Sequence, residues 1–119
     1  MAKRILLVED STDTRLMERT MLEQFGYEVD EARDGYEAIE KAKANPPDLI
    51  LMDVAMPHLD GFKATRILQT SPVLANIPVI AITAYRNFTE KAIESGCAAI
   101  VYKPLDIVEL KHVVDSFLT

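Results

Sequence analysis

A chain of 119 residues has room for one domain of ordinary size and not for two, and its 49% hydrophobic residues suffice for a full core. Its net charge is −6, from 13 Lys and Arg against 19 Asp and Glu, which argues against nucleic acid or an anionic membrane as a partner. No apolar run nears the ~20 residues of a membrane span, and the start, Met1-Ala2-Lys3-Arg4-Ile5, lacks the apolar segment of a signal peptide.

The first apolar run, Ile5-Leu6-Leu7-Val8, has no polar alternation and reads as a strand covered on both faces. Ser11 or Thr12 caps a first helix, with Met17, Met21, Leu22 and Phe25 on one face and Gly26 as its stop. Glu28-Val29-Asp30-Glu31-Ala32 alternates, so it is predicted to be an edge strand. A second helix is predicted from Tyr36 to Ala44, ended by Pro46-Pro47. Leu49-Ile50-Leu51-Met52 is the third strand. The helix after it runs from Gly61 to Gln69, with Ala64, Ile67 and Leu68 together. Val79-Ile80-Ala81-Ile82 is the fourth strand, followed by a short helix from Asn87 to Ser95 that Gly96 ends. After Ile100-Val101-Tyr102, the last helix places Leu110, Val113, Val114, Phe117 and Leu118 on one stripe, the clearest amphipathic signal in the chain.

Strand and helix thus alternate through five βα units. Such a pattern argues an α/β domain with a doubly wound parallel sheet and helices on both faces. There is no internal repeat, low-complexity tract or linker. The chain ends with its last helix, so a single domain over residues 1–119 is expected, with no DNA-binding or catalytic output domain.

In sheets of this kind the site forms at the carboxyl ends of the strands. Glu9 and Asp10 follow the first strand, Asp53 the third, Thr83 the fourth and Lys103 the fifth. Three crowded carboxylates disfavour one another's charge unless a cation joins them. Mg²⁺ suits such a set, because it prefers oxygen and commonly takes one or two carboxylates beside water and phosphate. Zn²⁺ does not fit, since no His or Cys stands at these strand ends. Phosphoryl transfer uses the same parts: a carboxylate nucleophile, a metal and an ammonium against the transferring oxygens, and a hydroxyl donor. Asp53 is the best nucleophile by its central position.

On these residues the chain resembles the receiver domain of two-component response regulators, over essentially its whole length, and looks most like the stand-alone, chemotaxis-type members. The matching stretches are Leu6-Leu7-Val8-Glu9-Asp10, Asp48-Leu49-Ile50-Leu51-Met52-Asp53, Met56-Pro57-His58-Leu59-Asp60-Gly61, Ile82-Thr83-Ala84 and Lys103-Pro104. The resemblance implies a flavodoxin-like (βα)5 fold with strand order 2-1-3-4-5. It implies that Asp53 is phosphorylated by a sensor histidine kinase or a phosphotransfer protein. Asp10 would bind Mg²⁺ directly, Glu9 directly or through water, and Asp53 and the Ala55 carbonyl would complete the protein ligands. Thr83 would bind the phosphoryl group and move on activation, with Ala84 beside it. Lys103 would pair with a phosphoryl oxygen, aimed by a cis bond to Pro104. Output would be protein contact through the fourth helix, fifth strand and fifth helix, in a cytoplasmic monomer that dimerises, if at all, on activation.

The chain departs from the family in three places. Glu9 stands where many members have Asp. Ile100 stands where many have Tyr or Phe; it is stiff at χ1 and has no hydroxyl. Tyr102 points to the same side two residues on, so either Tyr102 or Tyr85 takes part of the switching role or the coupling of Thr83 to an aromatic is weak here. Finally, the stretch from Thr83 to Lys103 is shorter than the family pattern, so the region of the fourth helix should be compact.

Other readings are weaker. A Mg²⁺-dependent phosphohydrolase with an aspartyl nucleophile would commonly carry an acid two residues after it, where this chain has Ala55. An inactive receiver would have lost part of the acid pair, Asp53 or Lys103. A segment of a hybrid kinase is disfavoured by the initiating Met. His58 and His112 read as surface residues, Phe62, Phe88 and Phe117 as core, and the lone Cys97 as a small buried hydrophobe in a reducing setting.

Overall fold

The computed structural model of the chain describes residues 2–54 and 60–119. The strands are β1 (Arg4–Val8), β2 (Glu28–Ala32), β3 (Leu49–Asp53), β4 (Val79–Thr83) and β5 (Ala99–Tyr102). The helices are α1 (Thr12–Gln24), α2 (Gly35–Ala44), α3 (Gly61–Gln69), α4 (Thr89–Ser95) and α5 (Ile107–Leu118). All strand pairs are parallel, and the sheet runs β2-β1-β3-β4-β5. The order reverses at β1, which lies between β2 and β3, so the crevice beyond the ends of β1 and β3 is the switch point.

Side-chain alternation explains why β1, β3 and β4 are apolar apart from one end residue each. Ile5, Leu7, Leu49, Leu51, Ile80 and Ile82 point to one face and pack with Leu22 of α1 and Leu110 and Val114 of α5. Leu6, Val8, Ile50, Met52, Val79 and Ala81 point to the other, against Ala38 and Ala42 of α2, Ala64 and Leu68 of α3, and Ala92 of α4. Each central strand is therefore covered on both sides, whereas β2, at an edge, keeps four of its five residues at least partly exposed.

Caps fix where the helices begin. The side chains of Ser11, Asp34, Asp60 and Asp106 accept backbone N–H bonds from the first turns of α1, α2, α3 and α5. Because Asp34 caps α2, that helix starts at Gly35, one residue before the predicted Tyr36. The predicted fourth helix divides into a 3-10 turn, Arg86–Phe88, and then α4; no side chain caps α4. At its far end Gly96 takes φ +99°, and Cys97 N–H returns to the Ala92 carbonyl at 3.0 Å.

Three apolar residues predicted to face the core do not. Met17 is 49% exposed, and Ile67 and Phe117 are each 40% exposed. In α1 the inward positions are Glu18 and Leu22, with Met21 and Phe25 at the rim. The inward stripe therefore passes through a carboxylate, which displaces Met17 outward by one position. In α3 the buried face holds Phe62, Ala64, Thr65 and Leu68, and in α5 Leu110 and Val114, so Ile67 and Phe117 stand to the side.

Candidate functional site

The site is built by strand ends. Val8 is level with Met52 across β1 and β3, so Glu9 and Asp53 leave the sheet side by side, with Asp10 next along the chain. One carboxylate oxygen from each of Glu9, Asp10 and Asp53 falls within 4.8 Å of the others. Glu9 and Asp53 are buried, and Asp10 is exposed at the mouth. Glu9 Oε2 accepts the Ser11 N–H at 3.0 Å, and the Arg15 guanidinium donates to the Glu9 carbonyl at 2.8 Å.

Lys103 reaches this cluster from the end of β5. Its Nζ donates to Asp53 Oδ2 at 3.3 Å and Glu9 Oε1 at 3.4 Å, both at the long end of hydrogen bonding. The Lys103 N–H donates to the Thr83 carbonyl at 2.8 Å, which ties the lysine's backbone to β4. The Lys103–Pro104 bond is cis. Burial opposes the ammonium charge, but Asp53 and Glu9 outweigh it and hold the lysine pKa above its usual value. Glu9 is pushed up to about 7, first by burial and then by Asp10 and Asp53, against the Ser11 N–H bond.

Thr83 is buried at the end of β4, and its Oγ1 accepts the Tyr85 N–H at 3.0 Å. Ala84 follows it, exposed. Gly61, the first residue of α3, lets that helix approach Asp53: a Cβ there would stand 2.7 Å from the Asp53 carbonyl oxygen and the Val54 Cα.

The donor set suits a hard cation. Three carboxylate oxygens converge, one residue stays open to solvent, and among the described residues this cluster includes no His or Cys. Glu9, raised toward neutrality by burial and then by its neighbouring acids, would be drawn back to its charged form by a cation among them. Ala55, expected to offer its carbonyl, and His58 lie outside the described residues. His112 is exposed, as expected.

At the usual aromatic position Ile100 is half-buried and packs with Phe88 and Cys97 against the α2–α4 core. Tyr102 turns to the same side. Its hydroxyl is bonded to the Thr89 hydroxyl, and the Arg86 guanidinium lies 4.3 Å from its ring centroid. Tyr85 is exposed and meets Phe88 edge-on at 5.4 Å.

One residue of this region went unsuspected in the sequence. Glu18 is 1% exposed, and neither carboxylate oxygen has a hydrogen-bond partner. Burial pushes it up to about 7, with Lys103 lowering it and Asp53 raising it. The available signal was its place four residues before Leu22, on the inward stripe of α1.

Residues 5–115 match the family described as the response regulator receiver domain. The chain belongs to that family. Among curated relatives, this receiver is 35% identical over 120 residues to the polar-differentiation response regulator DivK of Brucella ovis, covering 99% of this chain and 98% of that protein. Among solved structures, it is similar to the receiver domain of a signal transduction histidine kinase from Syntrophus aciditrophicus. That match has 35% identity and a TM-score of 0.92, and covers 98% of this chain and 90% of the other. It is also similar to the receiver domain of the sensor histidine kinase PA1611 from Pseudomonas aeruginosa, at 32% identity and TM-score 0.92, covering 99% and 98%. That structure holds a magnesium ion coordinated in its active-site cleft. The sheet order and five flanking helices agree with these receivers, and membership places the chain in phosphorelay signalling.

Proposed function

We propose that this receiver takes a phosphoryl group onto Asp53, from a histidine kinase or a phosphotransfer protein, and signals by changed contact with another protein. The observation that carries the reading is the seat of Asp53. It is a buried carboxylate at the switch point, bonded to one ammonium and flanked by two further acids. An Asp53 carboxylate oxygen attacks phosphorus, and the bond from phosphorus to the donor's imidazole nitrogen breaks, its electron pair returning to the ring.

Glu9, Asp10 and Asp53 are the side chains that would hold Mg²⁺, which, when bound, neutralises charge on the phosphoryl oxygens. The Ala55 carbonyl is proposed with them from the family pattern. Lys103, already between Glu9 and Asp53, turns its ammonium to a phosphoryl oxygen. Thr83 supplies a hydroxyl donor, and any movement toward the phosphoryl group also pulls on the bond its oxygen accepts from the Tyr85 N–H. Beyond it Tyr85 meets Phe88, and Tyr102 meets Arg86 and Thr89, in the segment that leads into α4. A displaced Thr83 would bear on the α4–β5 face with Tyr85 or Tyr102 taking part of the role of the usual aromatic. The new charge biases an existing equilibrium between two arrangements of that face.

The chain acts as one receiver unit over residues 1–119, a phosphoacceptor and not an enzyme with an external substrate. Its net charge of −6 disfavours nucleic acid and anionic lipid as partners. Among the described residues no helix is long and apolar enough to cross a membrane, and we assign it to the cytoplasm, where kinase donors act. Incubation with Mg²⁺ and labelled acetyl phosphate tests the reading. Label that is stable in the wild type, needs Mg²⁺ and is absent from Asp53→Asn supports it; label retained by the variant overturns it.

A further inference from the structure

Lys103 also lines a cavity of about 320 Å³ between α1 and the start of the β5–α5 connection, whose lining includes neither Glu9 nor Asp53. Met17, Met21, Pro104 and Leu105 give it apolar walls. Two charged side chains line it, Glu18 and Lys103. The Glu18 carboxylate has no hydrogen-bond partner, although it is almost completely buried. An orphaned carboxylate is among the costliest groups a fold can bury, so it is retained where a donor can reach it. Lys103 is the strongest charge acting on it. Lys103 is also loosely held: its bonds to the acids are long, and about a third of its side chain remains exposed.

We propose that Glu18 is a positioning residue for Lys103, a second carboxylate seat that receives the ammonium when it leaves Glu9 and Asp53. The lysine then stands between two acidic seats. At the first it neutralises the crowded acids of the site; at the second it vacates them. The ammonium would give way to a cation held by Glu9, Asp10 and Asp53, and Glu18 would lower the cost of that displacement. This role rests on the reading of the acid cluster as a Mg²⁺ site.

Mg²⁺ affinity, measured by calorimetry at pH 8 without phosphodonor, tests it as a double-mutant cycle. The set is wild type, Glu18→Gln and Glu18→Met, each also combined with Lys103→Met. Glu18→Met fills the cavity with an apolar side chain, so the cycle closes even if the glutamine variant does not fold. The expected result is that either Glu18 change weakens Mg²⁺ binding by about three- to tenfold where Lys103 is present. In the Lys103→Met background the same changes should shift affinity by less than about twofold. Equal losses in both backgrounds would mean that Glu18 acts by its own field on the acids, and no loss in either would mean that it does nothing for the lysine; each overturns the role. A wild-type chain that takes up no Mg²⁺ overturns the metal-site reading itself, a result distinct from both.

Discussion

Replacing Glu18 by Met should make the protein more stable, and increasingly so as pH rises. The carboxyl is pushed from 4.5 to about 7 in the folded chain, mainly by burial. Between those two values the folded state holds a proton that the unfolded state has released, so stability falls as pH rises through the window. At about 1.4 kcal/mol per unit, the full penalty is about 3 kcal/mol above pH 8 and about 1 kcal/mol at pH 5. Methionine carries no such charge and finds apolar neighbours in Met17, Met21 and Leu105. Urea denaturation of metal-free protein at pH 5 and pH 8 measures the difference. The advantage of Glu18→Met over wild type should grow by about 2 kcal/mol between the two conditions. Glu9 is raised in both proteins and largely cancels in the comparison. An advantage independent of pH would refute the burial of an ionisable, unpartnered Glu18.

Two further outcomes follow from the contacts around the site. Tyr102→Phe removes the hydroxyl bonded to Thr89 and should cost about 1 kcal/mol; hydrogen exchange should show faster opening of α4 amides, with α1 and α5 unchanged. Gly61→Ala places a Cβ 2.7 Å from the Asp53 carbonyl, so it should lower stability by about 1–3 kcal/mol and slow labelling of Asp53 by acetyl phosphate.

Much of the fold was legible because the central strands are apolar without interruption and end abruptly in functional residues. Val8 to Glu9, Met52 to Asp53 and Ile82 to Thr83 are transitions from core to site within one residue, and the parallel topology puts them on one edge. Helix existence was equally readable from Ser11, Gly26, Pro46-Pro47 and Gly96 at the ends, whereas the caps Asp34, Asp60 and Asp106 emerged from the structure. Helix orientation was not. Counting apolar residues assigns Met17, Ile67 and Phe117 to the core, but the buried stripes run through Glu18 and Leu22, Ala64 and Leu68, and Leu110 and Val114 instead. Glu18 was invisible for the same reason: a charged residue is presumed to face water, and only tertiary packing shows that this one does not. The division of the fourth helix lacked a cap residue to announce it. The contacts of Tyr102 with Arg86 and Thr89 join a strand to the following layer across more than ten residues, which no local pattern encodes.

The most direct test of the account is to locate the phosphoryl group. The chain would be incubated with Mg²⁺ and acetyl phosphate, treated with borohydride to reduce any acyl phosphate to the alcohol, digested and mapped by mass spectrometry. The account predicts homoserine in place of aspartate at position 53 and nowhere else, dependent on Mg²⁺. Homoserine at another carboxylate, or an unmodified Asp53 beside a chain that has bound Mg²⁺, would contradict it.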